Sequence, residues 1–363
     1  MALKFNSAFI QDEEHRPKPH ISEAGGIPVI DLSPLVALTR DDDDRIERSK
    51  EALAGLVAEV GAACKAWGFF QIVNHGVPPE LLDRLLAVAR EFFALPLEEK
   101  RRVRRGEENP LGYYDTEHTK NVRDWKEVFD FASKEPTKIP ATADPGEEKV
   151  DLFWNQWPDY PPEFRKACEE YAKGMEKFAH QLLELISLSL GLPAKRLSGF
   201  FKENMSFLRL NHYPECPEPR LALGVGRHKD GGALTILAQD DVGGLDVKRK
   251  SDGEWVRVKP IPNSYIINVG DIVQVWSNDA YESVEHRVSV NSARDRFSVP
   301  FFFNPPHHTN VRPLKELTGE GRPARYEEYN WGQFFKARKN SNFKKLVVEN
   351  VQISHFKKTL LAN

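Results

Sequence analysis

Residues 227–249 read RHKDGGALTILAQDDVGGLDVKR. Two apolar runs, Ala233 to Ala238 and Leu245 to Arg249, are too short for helices and are bounded by Asp/Gly clusters, the pattern of short strands joined by tight turns. The pattern extends both ways along the chain. Further strands are expected at 206–213, 255–259, 265–269, 272–276, 287–290 and 297–303. About eight short strands within roughly a hundred residues predict two packed sheets, a jelly roll.

Outward from this core the 363-residue chain changes character. Residues 1–25 are polar, with Pro17, Pro19 and a Gly25-Gly26 end, and read as a flexible lead-in. Residues 26–200 form a helical and mixed region. It holds a strand from Ile27, an acidic run Asp41 to Asp44 ahead of a helical pattern Ile46 to Trp67, a strand Phe69 to Val73 and a helix Pro79 to Ala94. Between Glu98 and Pro162 the pattern breaks up, and Arg101, Arg102, Arg104 and Arg105 read as a solvated face. From Pro162 to Leu192, Phe164, Cys168, Tyr171, Met175, Phe178, Leu182 and Leu185 recur three or four apart, predicting a long core helix. The jelly roll occupies 201–310. Residues 311–363 form a C-terminal region whose stretch Tyr326 to Phe356 reads as an amphipathic helix packed on the sheet. The fold class is therefore mixed α and β: a double-stranded β-helix core, cupin-like, with a helical N-terminal region and a C-terminal helix.

Composition narrows the function classes. Fifty-one Lys and Arg against 54 Asp and Glu give a net charge of −3, so no global basic field attracts nucleic acid or an anionic membrane. Cys64, Cys168 and Cys216 are odd in number and widely spaced, which suits reduced thiols rather than a disulfide framework. MALKFNSAFIQDEEH lacks the pattern of a secretory signal and no apolar run reaches membrane-spanning length, so a cytoplasmic protein, by default a monomer, is expected.

The chemistry sits in the β-rich segment. His228 and Asp230, two apart, would share one face of a strand, and His286 follows 56 residues beyond Asp230. Two imidazoles and a carboxylate are the donor set of a non-haem Fe(II) centre that keeps positions open for substrate and O2. A lone His-x-Asp is more often a turn feature, so the second set of residues matters. Arg296 and Ser298 share a face of the next strand and suit a carboxylate clamp. Upstream, Arg209, Asn211 and Tyr213 alternate with Leu208, Leu210 and His212 and share another face. His307 and His308 follow the sheet in a Pro-rich turn and read as surface residues.

The motifs IPVIDL, WGFFQIVNHGVP, GYYD, DWKEVFDF and WNQWP, then LRLNHYPECPEP, HKDGGALTIL, VGGLDV, EWVRVKP, INVGDIVQVWSN, HRV and RFSVPFFFNP, resemble the plant-type soluble 2-oxoglutarate- and Fe(II)-dependent dioxygenases over roughly residues 27 to 310. AQDDVGGL and VENVQISHF are similar to a dark- or senescence-associated branch. The resemblance implies His228, Asp230 and His286 as iron ligands. It implies Arg296 and Ser298 as the clamp for the distal carboxylate of 2-oxoglutarate, with Tyr213 and Asn211 beside the cosubstrate. It further implies Arg209, Phe302 and Tyr114 near the prime substrate, and lid residues from 112–115, 121–125 and the C-terminal helix. His212 stands where Tyr is frequent and Lys229 where Thr is frequent; neither replaces a ligand. The intact Asp230 argues against a halogenase. The implied reaction consumes O2 and 2-oxoglutarate, releases succinate and CO2, and hydroxylates or desaturates a small specialised metabolite, phenolic or hormone-like acid, with ascorbate as a supporting reductant. Three alternatives stand beside it: an Fe(II) oxidase using ascorbate in place of 2-oxoglutarate, a catalytically silent small-molecule-binding barrel, and a zinc hydrolase, which leaves the Arg296 clamp without a purpose.

Overall fold

In a computed structural model, the described residues are 4–18, 26–38, 44–106, 108–144, 146, 148–340 and 350–359. Eight strands form the major sheet in the order Val29–Asp31, Phe69–Val73, Tyr265–Val269, Leu234–Gln239, Arg296–Phe303, Phe207–Tyr213, Glu127–Ala132, Gly112–Tyr114. Four more, Leu223–His228, His286–Ser289, Leu245–Lys248 and Trp255–Arg257, form the minor sheet.

Alternation along each strand explains how one sheet serves two cores. Phe69 and Ile266 pack with Leu245, Val247 and Val288 of the minor sheet. Their neighbours Phe70 and Ile267 turn the other way, into a larger core with Ile236, Leu208, Leu210, Phe129 and Phe301. Three helices cover that outer face: Ala54–Ala66, Pro79–Ala94 and Phe164–Ser189. The last buries Phe164, Cys168, Tyr171, Met175, Phe178, Leu182 and Leu185, the residues whose spacing predicts it. Opposed pairs Arg296↔Tyr213, Ser298↔Asn211 and Gln239↔Ser298 carry one run of polar residues along the inner face. Thr235↔Phe302, Thr235↔Asn268 and Phe302↔Phe207 place a second group on that same face.

Five expectations are corrected. Asp271–Trp276 is helical rather than a strand: its residues are buried all round, so DIVQVW carries no period that separates helix from strand, and the backbone at Gly270 lies so close to Gly232 that an added Cβ would meet its carbonyl at 2.2 Å. The pattern from Ile46 to Trp67 is split between Arg45–Arg48 and Ala54–Ala66. Residues 4–18 of the lead-in are seated on the barrel, because Phe9 is fully buried against Trp125, Cys216 and Ala222; residues 19–25 lie outside those described, as do Asp41 to Asp43 of the acidic run. In the tail only Trp331–Asn340 is α-helical among the described residues, followed by a short turn at Ile353–Phe356, and 341–349 lie outside them. The arginine run is not wholly solvated: Arg105 is 1% exposed and pairs with Glu117 and Asp130.

The N-terminal half also supplies two strands of the major sheet, Glu127–Ala132 and Gly112–Tyr114, which the sequence pattern does not reveal. Glu127 ties this wing to the barrel, accepting from Lys100 at 2.6 Å and Tyr113 at 2.6 Å and meeting His212 Nδ1 at 2.7 Å. His212 Nε2 lies 2.9 Å from Asp295. Burial disfavours the imidazolium, but hydrogen bonds to Asp295 and Glu127 outweigh it and raise the His212 pKa above its ordinary value. A raised folded-state pKa contributes stability that is complete below the unfolded value of about 6.5 and is lost as pH rises through the folded value. In urea unfolding the stability difference between the wild type and His212→Asn should therefore be largest below about pH 6.5 and shrink as pH rises; parallel pH profiles would contradict it.

Candidate metal and cosubstrate site

His228 ends a strand of the minor sheet, and its Cα partner across the ladder is His286. Asp230 lies beyond the strand, in the turn that carries the chain from the minor sheet to Leu234 of the major one. The triad therefore does not share one strand face, as the spacing of two suggests; a turn delivers the carboxylate. Ligand atoms of the three residues lie within 4.8 Å of one another. Asp230 Oδ1 is 3.7 Å from both His228 Nε2 and His286 Nε2, a span that bonds of about 2 Å from each donor can bridge.

Every ligand is aimed by a second contact. His228 Nδ1 donates to the Gly226 carbonyl at 2.8 Å and His286 Nδ1 to that of Val284 at 3.1 Å, which leaves both Nε2 lone pairs free. Asp230 Oδ2 accepts from Thr235 Oγ1 at 2.6 Å and Asn268 Nδ2 at 2.8 Å, so Oδ1 faces the imidazoles. Burial, reinforced by His286, pushes His228 down to about 3, so its imidazole stays neutral. Burial opposes the charge on Asp230, but the neighbouring imidazoles and its two hydrogen bonds hold the carboxyl below its ordinary range.

The second set of residues is also in place. Arg296 is 2% exposed; its Nη2 donates to Gln239 Oε1 at 3.0 Å, while Nε and Nη1 have no partner among the described residues. Gln239 Nε2 and Asn211 Oδ1 are unpartnered too, and Asn211 Nδ2 lies 3.3 Å from Ser298 Oγ. The Tyr213 ring lies 4.9 Å from the guanidinium carbon. A buried guanidinium with two idle donors is costly. A carboxylate seated between Arg296 and Ser298 would satisfy it, so these residues fit 2-oxoglutarate, just as the His/Asp/His set fits Fe(II).

A cavity of about 660 Å³ opens over His228 and Asp230. Phe302 and Phe207, stacked at 4.7 Å, line it together with Arg209, Asn121 and Phe335 of the C-terminal helix. Two substrate expectations change. Tyr114 is not among the lining residues: it is buried, with the Arg105 guanidinium 5.0 Å from its ring. Arg209 lines the cavity, but its guanidinium is taken by Asp130 at 2.7 and 2.9 Å and by Glu117 at 2.9 Å twice. His307 and His308 are half-buried and exposed, and neither joins the cluster. Sequence reasoning missed Thr235, Asn268 and Gln239, whose signal is a polar residue interrupting or ending an otherwise apolar buried strand.

Comparison with known proteins agrees with this geometry. Residues 204–305 match the 2OG-Fe(II) oxygenase superfamily, and residues 27–160 match the N-terminal region of the non-haem dioxygenases in morphine synthesis. Jasmonate-induced oxygenase 2 of Arabidopsis thaliana is 37% identical over 86% of this chain and 78% of its own length. Naringenin,2-oxoglutarate 3-dioxygenase of Matthiola incana is 34% identical over 87% and 83%. The crystal structure of JOX2 in complex with 2OG, Fe and JA superposes with a TM-score of 0.75 at 34% identity, covering 92% of this chain and 88% of that one.

Hydrogen bonds that aim a ligand typically govern metal affinity by tenfold to a hundredfold. Thr235→Val and Asn268→Leu should each weaken Co(II) binding by that factor in an absorbance titration, and unchanged affinity in both would contradict the assignment. The chain belongs to the plant-type 2OG-Fe(II) oxygenase superfamily and is a dioxygenase that uses Fe(II) and 2-oxoglutarate.

Proposed function

We propose that His228, Asp230 and His286 hold the iron, that Arg296 and Ser298 clamp the distal carboxylate of 2-oxoglutarate, and that Tyr213 and Asn211 flank its chelating end. The observation that carries this reading is the pair of unpartnered donors on buried Arg296, beside Ser298 and on the sheet that also braces Asp230. When bound, Fe(II) couples decarboxylation of 2-oxoglutarate to oxidation of a substrate C–H bond. The chain itself supplies position and dryness: fixed histidine tautomers, one free carboxylate oxygen, and a clamp that sets the cosubstrate's register.

The substrate is read as a small organic molecule with an apolar body, hydroxylated at a carbon presented to the metal. Support comes from the cavity volume, which lies in the small-molecule range, and its aromatic lining of Phe207, Phe302 and Phe335. The relatives point the same way, one solved with JA and another named for naringenin. The working unit is read as a cytoplasmic monomer that does not bind nucleic acid. The three cysteines are buried and free, the net charge is −3, and no helix among the described residues is long and apolar enough to cross a membrane.

Adding 2-oxoglutarate anaerobically to the Fe(II) protein should give a weak visible charge-transfer band, and its absence in metal-replete protein would overturn the reading. Arg296→Gln removes a buried charged partner worth about 3 kcal/mol. It should raise the 2-oxoglutarate KM about a hundredfold while Fe(II) affinity holds; an unchanged KM would remove Arg296 from the clamp. Succinate release without added ascorbate separates this activity from an ascorbate-driven oxidase.

A further inference from the structure

The cavity wall contains a charge that its neighbours do not balance. Arg105, Lys126 and Arg209 face Glu117, Asp124 and Asp130, three cations against three carboxylates. Lys126 reaches Glu117 at 2.7 Å and Asp124 at 3.2 Å, Arg209 reaches Asp130 at 2.7 Å and Glu117 at 2.9 Å, and Arg105 pairs with Glu117 and Asp130. Burial pushes the Asp124 carboxyl upward, so these six groups carry no net negative charge to offset a further cation. Lys339, from the C-terminal helix, is the seventh charge. Its Nζ lies 5.5 Å from the Phe207 ring centre and 5.4 Å from that of Phe335, with no hydrogen-bond acceptor among the described residues.

Other cations of the wall are committed: Arg338 to the Lys229 carbonyl at 2.9 Å and to Asp271 at 3.7 Å, Lys229 to Glu282 at 3.9 Å, and Lys357 to Asp279 at 3.7 Å, and Lys120 too is engaged. Glu282 and Glu285 are paired as well, with Lys250 at 3.1 Å and with Arg227 and Lys248 at 3.1 Å. A cationic ligand would have to break one of these pairs. An anionic one would not.

Resting on the dioxygenase reading above, we propose that Lys339 is the receptor for a carboxylate on the prime substrate, whose apolar body lies along Phe207, Phe302 and Phe335 with the reacting carbon toward the His/Asp/His cluster. A single half-buried ammonium over aromatic faces suits a monoanion, and the pairing gives the cation the counter-charge that its described neighbours do not supply in full. Burial, reinforced by Arg105 and Arg209 against Asp130 and Glu117, pushes the Lys339 ammonium down to about 7, the direction expected of a cation awaiting its counter-charge. Lys339 thereby becomes the donor that fixes substrate orientation from the end remote from the metal.

The test uses the Fe(II) and 2-oxoglutarate holoenzyme without O2 and a panel of alkyl and aryl monocarboxylic acids, each paired with its primary alcohol. Acetic anhydride labelling, read by peptide mass mapping, reports the Lys339 amine directly. At least one acid should slow labelling of Lys339 about tenfold where its alcohol does not. Lys339→Met should weaken that acid's binding about tenfold, with Lys339→Arg retaining it. The proposal is overturned if no acid protects Lys339 more than its alcohol, or if Lys339→Met binds the acid as the wild type does. A charge-transfer band that persists in Lys339→Met shows an intact iron and cosubstrate site; its loss in the wild type would strike the underlying reading instead.

Discussion

The site depends on how the Asp230 carboxylate is divided between two tasks. Oδ2 is held by Thr235 and Asn268, both on the inner face of the major sheet, while Oδ1 is presented to histidines of the minor sheet. One side chain in a turn thus joins the two layers of the barrel and fixes the metal position relative to the cosubstrate clamp. The backbone repeats this tie: Asp271 N donates to the Asp230 carbonyl at 2.8 Å. Gly232 lies so close to Asn304 that a Cβ would meet its Oδ1 at 2.0 Å, so the turn has little room to move. Such over-determination keeps a reactive centre within the small tolerance that its chemistry needs.

The N-terminal half is part of the wall of the catalytic unit. Four of its strands extend the major sheet, and its acidic residues Glu117 and Asp130 meet the barrel's Arg209 in a buried network that also holds Arg105 and Lys126. Buried ion pairs of this kind seldom add net stability, because desolvation consumes most of the attraction. Removing one partner is nevertheless expensive, so the network specifies a single arrangement of the two halves and holds the cavity wall rigid beside the iron site. The same exactness of charge balance is what makes the added positive charge of Lys339 conspicuous.

The legible part of this molecule is the part with a period or a spacing. The long helix announces itself through Phe164 to Leu185 at spacings of three and four, and most core strands through apolar alternation. Arg296 and Ser298 are readable because strand alternation puts them on one face, and the structure sets Asn211 and Tyr213 opposite them. Three things were hidden for physical reasons. DIVQVW, apolar on every side, carries no signal that separates helix from strand. Arg105 looks solvated in a basic run, because its acidic partners Glu117 and Asp130 lie 12 and 25 residues away. Arg209 reads as a substrate contact because its face can be inferred, whereas the carboxylates that saturate it come from other segments. Tertiary pairing of charges leaves no local trace in sequence.

The central claim is that a carboxylate braced on one sheet and two histidines on the other form a centre that couples 2-oxoglutarate decarboxylation to O2. Turnover under isotopically heavy O2, followed by mass analysis of succinate, tests it most directly. The account predicts one heavy oxygen atom in each succinate released by the wild type and no succinate above background from Asp230→Ala. Unlabelled succinate, or labelled succinate at undiminished rate from Asp230→Ala, would contradict it.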